Sequence, residues 1–95
     1  MTEIHARRLS TALTAKGFQR LEAKHHTMFW LVARGTRRSI RTRISHGQTR
    51  VDDWLLSQIA RELHLAKREL LDFLDCEITL EGYVRMMVER GHLQS

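Results

Sequence analysis

Apolar residues along this chain follow two different periods. Ile4, Leu9, Ala12 and Leu13 fall at roughly helical steps, with Arg7, Arg8 and Lys16 left to solvent. That pattern predicts a helix over about residues 3 to 16, capped by Thr2 and stopped by Gly17. From Phe18 the period shortens to two. Residues 18 to 23 alternate like a half-buried strand, and His26 to Ala33 is apolar on both parities, as a central strand would be. Gly35 marks a hairpin turn. In the third strand Ile40, Thr42 and Ile44 point one way, while Ser39, Arg41 and Arg43 point the other. After Gly47 the helical period returns in three segments. Thr49 followed by Asp52 is a capping pattern for Leu55, Leu56, Ile59, Ala60 and Leu63. Ala66, Leu70, Phe73 and Leu74 form the next stripe. A last helix is expected from Thr79, with Ile78 and Tyr83 as a hydrophobic staple and Gly91 as its end. The predicted order is αβββα followed by two more helices: an α+β fold with helices on one face of an antiparallel three-stranded sheet.

Composition narrows the class. With 42% hydrophobic and 28% charged residues, the 95-residue chain reads as one globular domain over residues 1–95 rather than a disordered tail. The longest apolar run, Met28 to Ala33, is far too short to span a membrane, and the start of the chain does not read as a secretory leader. The single Cys76 cannot form an intramolecular disulfide, so the cytoplasm is the expected location, with Cys76 a small buried hydrophobe. Charge adds more. Between residues 24 and 50 stand Lys24, Arg34, Arg37, Arg38, Arg41, Arg43 and Arg50 with no Asp or Glu. This window carries +7 in a chain of net +5, which leaves the remainder at −2. The basicity belongs to one hairpin, and a polyanion is its natural partner.

Lys16-Gly17-Phe18 before the first strand, the His25-His26 pair, the basic hairpin, and His46-Gly47 before a helix together resemble the HicA (YcfA-like) toxins of toxin–antitoxin systems. The resemblance covers residues 3 to 65, and it divides the chain into a core over 1–65 and a C-terminal helical extension over 66–95. It implies a fold like the double-stranded-RNA-binding domain (dsRBD-like) and cleavage of messenger RNA (mRNA) without a metal or a cofactor. It also implies a HicB-like antitoxin as protein partner. The family's catalytic histidine, the first of a Gly-Ser-His-His-like stretch, falls on His25; Ala23-Lys24 replace the usual Gly-Ser, and no proline separates His46 from Gly47.

The residues support the same chemistry independently. Cleaving RNA with its own 2′-hydroxyl as nucleophile needs a group to accept that proton and donors to hold the phosphate. Imidazole, with an unperturbed pKa of about 6.5, suits the first task, which points to His25 with His46 as a second candidate. Arg41 and Arg43 suit the second, with Lys24 beside them and Arg37, Arg38 and His26 as further RNA contacts. The window lacks the carboxylates on which two-metal nucleases depend, and adjacent histidines on a strand point apart, so no metal site is expected.

Blander roles are expected elsewhere. Trp30 and Trp54 read as core anchors, Met86-Met87 as helix contacts, and His5, His64 and His92 as surface residues on helices or tails. An alternative function uses residues 58 to 71, Gln58 to Leu71, which look like a helix-turn-helix with His64 where a turn glycine is common. Its second helix would expose Lys67, Arg68, Glu69, Asp72 and Asp75, a poor face for phosphate. A non-catalytic nucleic-acid binder, dsRBD-like or helix-turn-helix, is thus the competing reading, and it would tolerate loss of His25.

Overall fold

The computed structural model describes residues 3–94, so the expected cap at Thr2 lies outside the described residues. In chain order the elements are β1 (Ile4–His5), α1 (Ala6–Ala15), β2 (Gln19–Glu22), β3 (His26–Ala33), β4 (Thr36–Ser45), β5 (Arg50–Val51), α2 (Asp53–Glu62), α3 (Lys67–Leu74) and α4 (Leu80–Glu89). This is an α+β architecture with an antiparallel three-stranded sheet, ordered β2-β3-β4, and four helices.

Two boundaries differ from those predicted, for one reason. Ile4–His5 and Arg50–Val51 pair as a small antiparallel ladder, and the Ala6 amide extends it by donating to the Thr49 carbonyl at 2.9 Å. Ile4 and Val51 are both buried, so the pairing is worth more than another turn of helix at Ile4. Helix α1 therefore begins at Ala6, and His5 caps it by accepting from the Arg7 amide through Nδ1 at 3.1 Å. The same ladder occupies the residues after Thr49. The cap of α2 is Asp52, whose carboxylate accepts from the Leu55 amide at 2.9 Å. The later boundaries agree with the pattern: Thr79 caps α4 and Gly91, at φ +80°, ends it.

Strands β3 and β4 are joined through the two residues Arg34-Gly35 between the paired Ala33 and Thr36. Both have positive φ, 55° and 75°, the requirement of a type I′ hairpin turn. The register is irregular between Trp30 and Val32, where β4 bulges. Alternation then sorts the sheet. Phe29, Leu31, Ile40 and Ile44 are buried in one cluster with Leu9 and Leu13 of α1, Leu56 and Ile59 of α2, and Leu63 just after it. Thr42 shares that face, and its buried hydroxyl donates to Glu62 Oε1 at 2.6 Å.

Residues of the extension enter the same cluster. Leu70, Phe73, Leu74, Tyr83 and Met87 are buried, while Leu80, Val84 and Met86 are partly buried against it. Phe18, Phe73 and Tyr83 form an aromatic knot, with centroids 6.1 Å apart for Phe18–Phe73 and 4.9 Å for Phe73–Tyr83. The Tyr83 hydroxyl donates to the Leu63 carbonyl at 2.8 Å, which satisfies the phenol, and burial pushes its pKa up. Neither tryptophan is a core anchor. Trp30 is half-buried on the uncovered side of the sheet and Trp54 is 69% exposed, because the parity of their segments gives the core to Phe29, Leu31, Leu56 and Ile59. Cys76 is exposed too, at φ +66° just after α3, so it is not the buried hydrophobe expected. Among the described residues, no helix is long and apolar enough to cross a membrane.

Candidate nucleic-acid interface

The uncovered face of the sheet is built by the parity that the core rejects. On β3 it presents Met28, Trp30 and Val32, all half-buried, and the register sets these opposite Arg43, Arg41 and Arg37 of β4. Two guanidinium groups lie over the Trp30 ring, Arg37 at 4.7 Å and Arg41 at 5.0 Å from its centroid. Such contacts are favourable by about 0.5–1 kcal/mol at exposed sites and fix long side chains that would otherwise wander. Arg43 is exposed beside Met28. Arg38 does not join this array. It is half-buried, its Nη2 donates to the Ala33 carbonyl at 3.1 Å, and its Nε is buried without a hydrogen-bond partner among the described residues.

The histidines gather at the end of the sheet. Lys24 and His25 occupy the exposed bend between β2 and β3, and His26 opens β3 opposite Ser45. The His46 amide donates to the His25 carbonyl at 3.1 Å, so the two backbones are tied together. The His46 ring has a partner that the acid-free window concealed. Glu22 stands just before the window, and its Oε2 lies 3.0 Å from His46 Nε2. Glu22 also accepts from Thr27 Oγ1 at 3.1 Å and from Arg20 Nε at 3.0 Å. The Thr27 hydroxyl is the main cause holding this carboxyl below its usual range, aided by Arg20 and His46 and opposed by partial burial. An ionised Glu22 accepts the Nε2 hydrogen of His46, which leaves Nδ1 as the free ring nitrogen of a neutral imidazole. Glu22, Thr27, Arg20 and His46 line one side of a cleft of about 430 Å³, closed on the other by Arg7 and Ser10 of α1. Hairpin parity was the signal for this group. Glu22 pairs with Thr27 and Thr27 with Ile44, so all three share the side on which β4 delivers His46.

The other histidines are exposed but have structural tasks. His5 caps α1, and His64 at φ +60° makes the turn between α2 and α3. Its ring stacks on His92 with centroids 3.7 Å apart, and burial, then the neighbouring His92, push the His64 pKa down. Helices α2 and α3 are joined by a short turn at His64, and Lys67 and Glu69, two of the four charged residues of α3, are engaged within the chain, as is Asp75 at its end. Lys67 pairs with Asp53, Glu69 with Arg90 and Asp75 with Arg8.

Among the described residues, no three His, Cys, Asp or Glu side chains gather as a metal cage. No family model, curated protein or solved structure matches this chain.

Proposed function

We propose that the chain is a HicA-like mRNA interferase, in which the basic sheet face binds RNA and His25 and His46 perform the proton transfers of cleavage. The observation that carries this reading is the bond between the His46 amide and the His25 carbonyl. It ties two imidazole-bearing residues, distant in sequence, together at one end of the sheet, with the His46 ring turned into the cleft beside α1. The order α1-β2-β3-β4-α2, with both helices on one side of the sheet, is the arrangement of a dsRBD-like fold and supports the resemblance.

In this mechanism one imidazole takes the 2′-hydroxyl proton as the 2′-oxygen attacks phosphorus. The P–O5′ bond breaks, and the other ring, as imidazolium, returns a proton to the 5′-oxygen. The products are a 2′,3′-cyclic phosphate and a 5′-hydroxyl. His46, with Nε2 engaged by Glu22, has Nδ1 for this work, and Glu22 stabilises the charged ring once formed. Lys24, Arg41 and Arg43 offer cations to the phosphate as charge builds on its oxygens. A HicB-like antitoxin is the protein partner that the reading brings with it.

The test is cleavage of a long single-stranded RNA by wild type, His25→Ala and His46→Ala, each with excess chelator. Acid–base catalysis contributes about 10²–10⁴-fold, and a loss of that order is expected in His25→Ala with RNA binding retained. Full cleavage by His25→Ala removes it from the mechanism, and loss of wild-type cleavage on chelation assigns the reaction to a metal. Binding without cleavage by wild type leaves a non-catalytic RNA binder, the reading that the Trp30–arginine array favours by itself.

A further inference from the structure

Trp54 is the most exposed large apolar side chain among the described residues, at 69%; the other is Leu21 at 37%. It stands in the first turn of α2, past the edge of β4, and lines a cleft of about 260 Å³ together with His26, Arg43, Ser45, Gln58 and Glu62. That volume lies below the roughly 300 Å³ at which pockets for whole small molecules begin, and it suits a single ring system. The chemistry around it is graded. Arg43 belongs both to this cleft and to the basic sheet face, so it joins the two. Gln58 can donate and accept, whereas Glu62 can only accept, and its Oε1 is already taken by the Thr42 hydroxyl. A carboxylate on the wall disfavours a phosphate inside and leaves room for a flat, neutral group with hydrogen-bonding edges. A nucleobase has that character, and an open indole face is the surface on which bases stack.

We propose that the Trp54 cleft binds one unstacked base of single-stranded RNA, while Arg43 holds the phosphate between that base and the sheet face. The proposal rests on the RNA-binding reading given above and adds to it a subsite for one base. A duplex keeps its bases stacked and paired, so the ligand is single-stranded, and His26 on the same wall places the bound base beside the histidine end of the sheet. Recognition at this position comes from the base and not from the backbone alone.

A double-mutant cycle between protein and RNA tests it. Wild type, Trp54→Ala, Trp54→Phe and Arg41→Glu/Arg43→Glu are titrated, in the His25→Ala background to prevent cleavage, with a labelled single-stranded oligonucleotide and with copies carrying one abasic site at each position in turn. Circular dichroism checks folding, and an exposed side chain leaves little to collapse. Stacking on one aromatic residue corresponds to roughly fivefold to 150-fold in affinity. Trp54→Ala should lose an amount in that range and Trp54→Phe less. One abasic position should weaken wild type and have no further effect on Trp54→Ala. Equal binding by Trp54→Ala and wild type, with loss in the arginine double mutant, overturns the base site and keeps the RNA-binding face. An abasic profile identical in both proteins also overturns it and turns Trp54 toward a protein partner. Absence of RNA binding by the parent overturns both readings.

Discussion

The two sides of the three-stranded sheet are written by alternate residues of the same strands, yet they are built on different principles. The covered side, with Phe29, Leu31, Ile40 and Ile44, is held by shape and exclusion of water, and its one buried polar group, Thr42, is hydrogen-bonded. The uncovered side, with Trp30 between Arg37 and Arg41, is held by charge over an aromatic ring and stays accessible. A substitution on the first should register in stability and one on the second in binding. That separation allows the molecule to carry a strongly cationic surface without a loss of packing.

Removal of residues 66–95 is the harshest challenge, because it withdraws Leu70, Phe73, Leu74, Tyr83 and Met87 from the shared core. At about 1.5–3 kcal/mol for each buried side chain, the loss matches the whole stability of an ordinary domain, about 5–15 kcal/mol. The truncated chain should show no cooperative melt, and an unchanged melting temperature would make the extension an independent appendage. Phe29→Ala confines the challenge to the covered side: a cost of about 3–5 kcal/mol is expected in urea unfolding, against about 0.5 kcal/mol for its exposed counterpart Arg43→Ala. Similar costs at both positions would dissolve the distinction between the faces. On the uncovered side, Arg41→Ala/Arg43→Ala should lower the salt dependence of single-stranded RNA binding by about 1.4 in log–log slope, at roughly 0.7 per phosphate contact. Thr42→Val breaks the hydroxyl bond to Glu62 and should cost about 1 kcal/mol in urea unfolding.

The smallest effect belongs to neither face. Burial, with His92 stacked beside it, lowers the His64 pKa in the folded chain, so the unfolded chain binds more protons once the pH enters the histidine range. Stability is therefore full above the unfolded value of about 6.5 and declines as pH falls through the folded value. His92→Ala should flatten that decline, as followed by melting temperature between pH 7.5 and 5. A slope unchanged by the substitution would assign the acid sensitivity to other groups.

Period and parity made much of this legible from sequence. The alternation of Ile40, Thr42 and Ile44 with Arg41 and Arg43 predicts which side of β4 is buried, and Thr79, the Ile78–Tyr83 staple and Gly91 predict α4. What escaped was pairing at long range. Nothing local says that Ile4 meets Val51, and that one pairing sets both the start of α1 and the cap of α2. Residue type alone points both tryptophans to the core, whereas strand parity turns Trp30, and the helical face turns Trp54, away from it. Glu22 is the opposite case: it stands just outside the acid-free window in sequence, and only hairpin register returns it to His46.

The ladder of Ile4–His5 with Arg50–Val51 also has a kinetic meaning. It joins the start of the described chain to the strand just before α2, so the loop that it closes contains α1 and the entire three-stranded sheet. Closing so long a loop costs entropy that neighbouring contacts must first offset, whereas the β3–β4 hairpin closes over two residues. The hairpin is therefore an early event and the ladder a late one. In the folded protein the same order runs in reverse. The ladder is a clasp whose release frees the first strand while the sheet stays paired, and hydrogen exchange at the Ala6 amide, bonded to the Thr49 carbonyl, times that release.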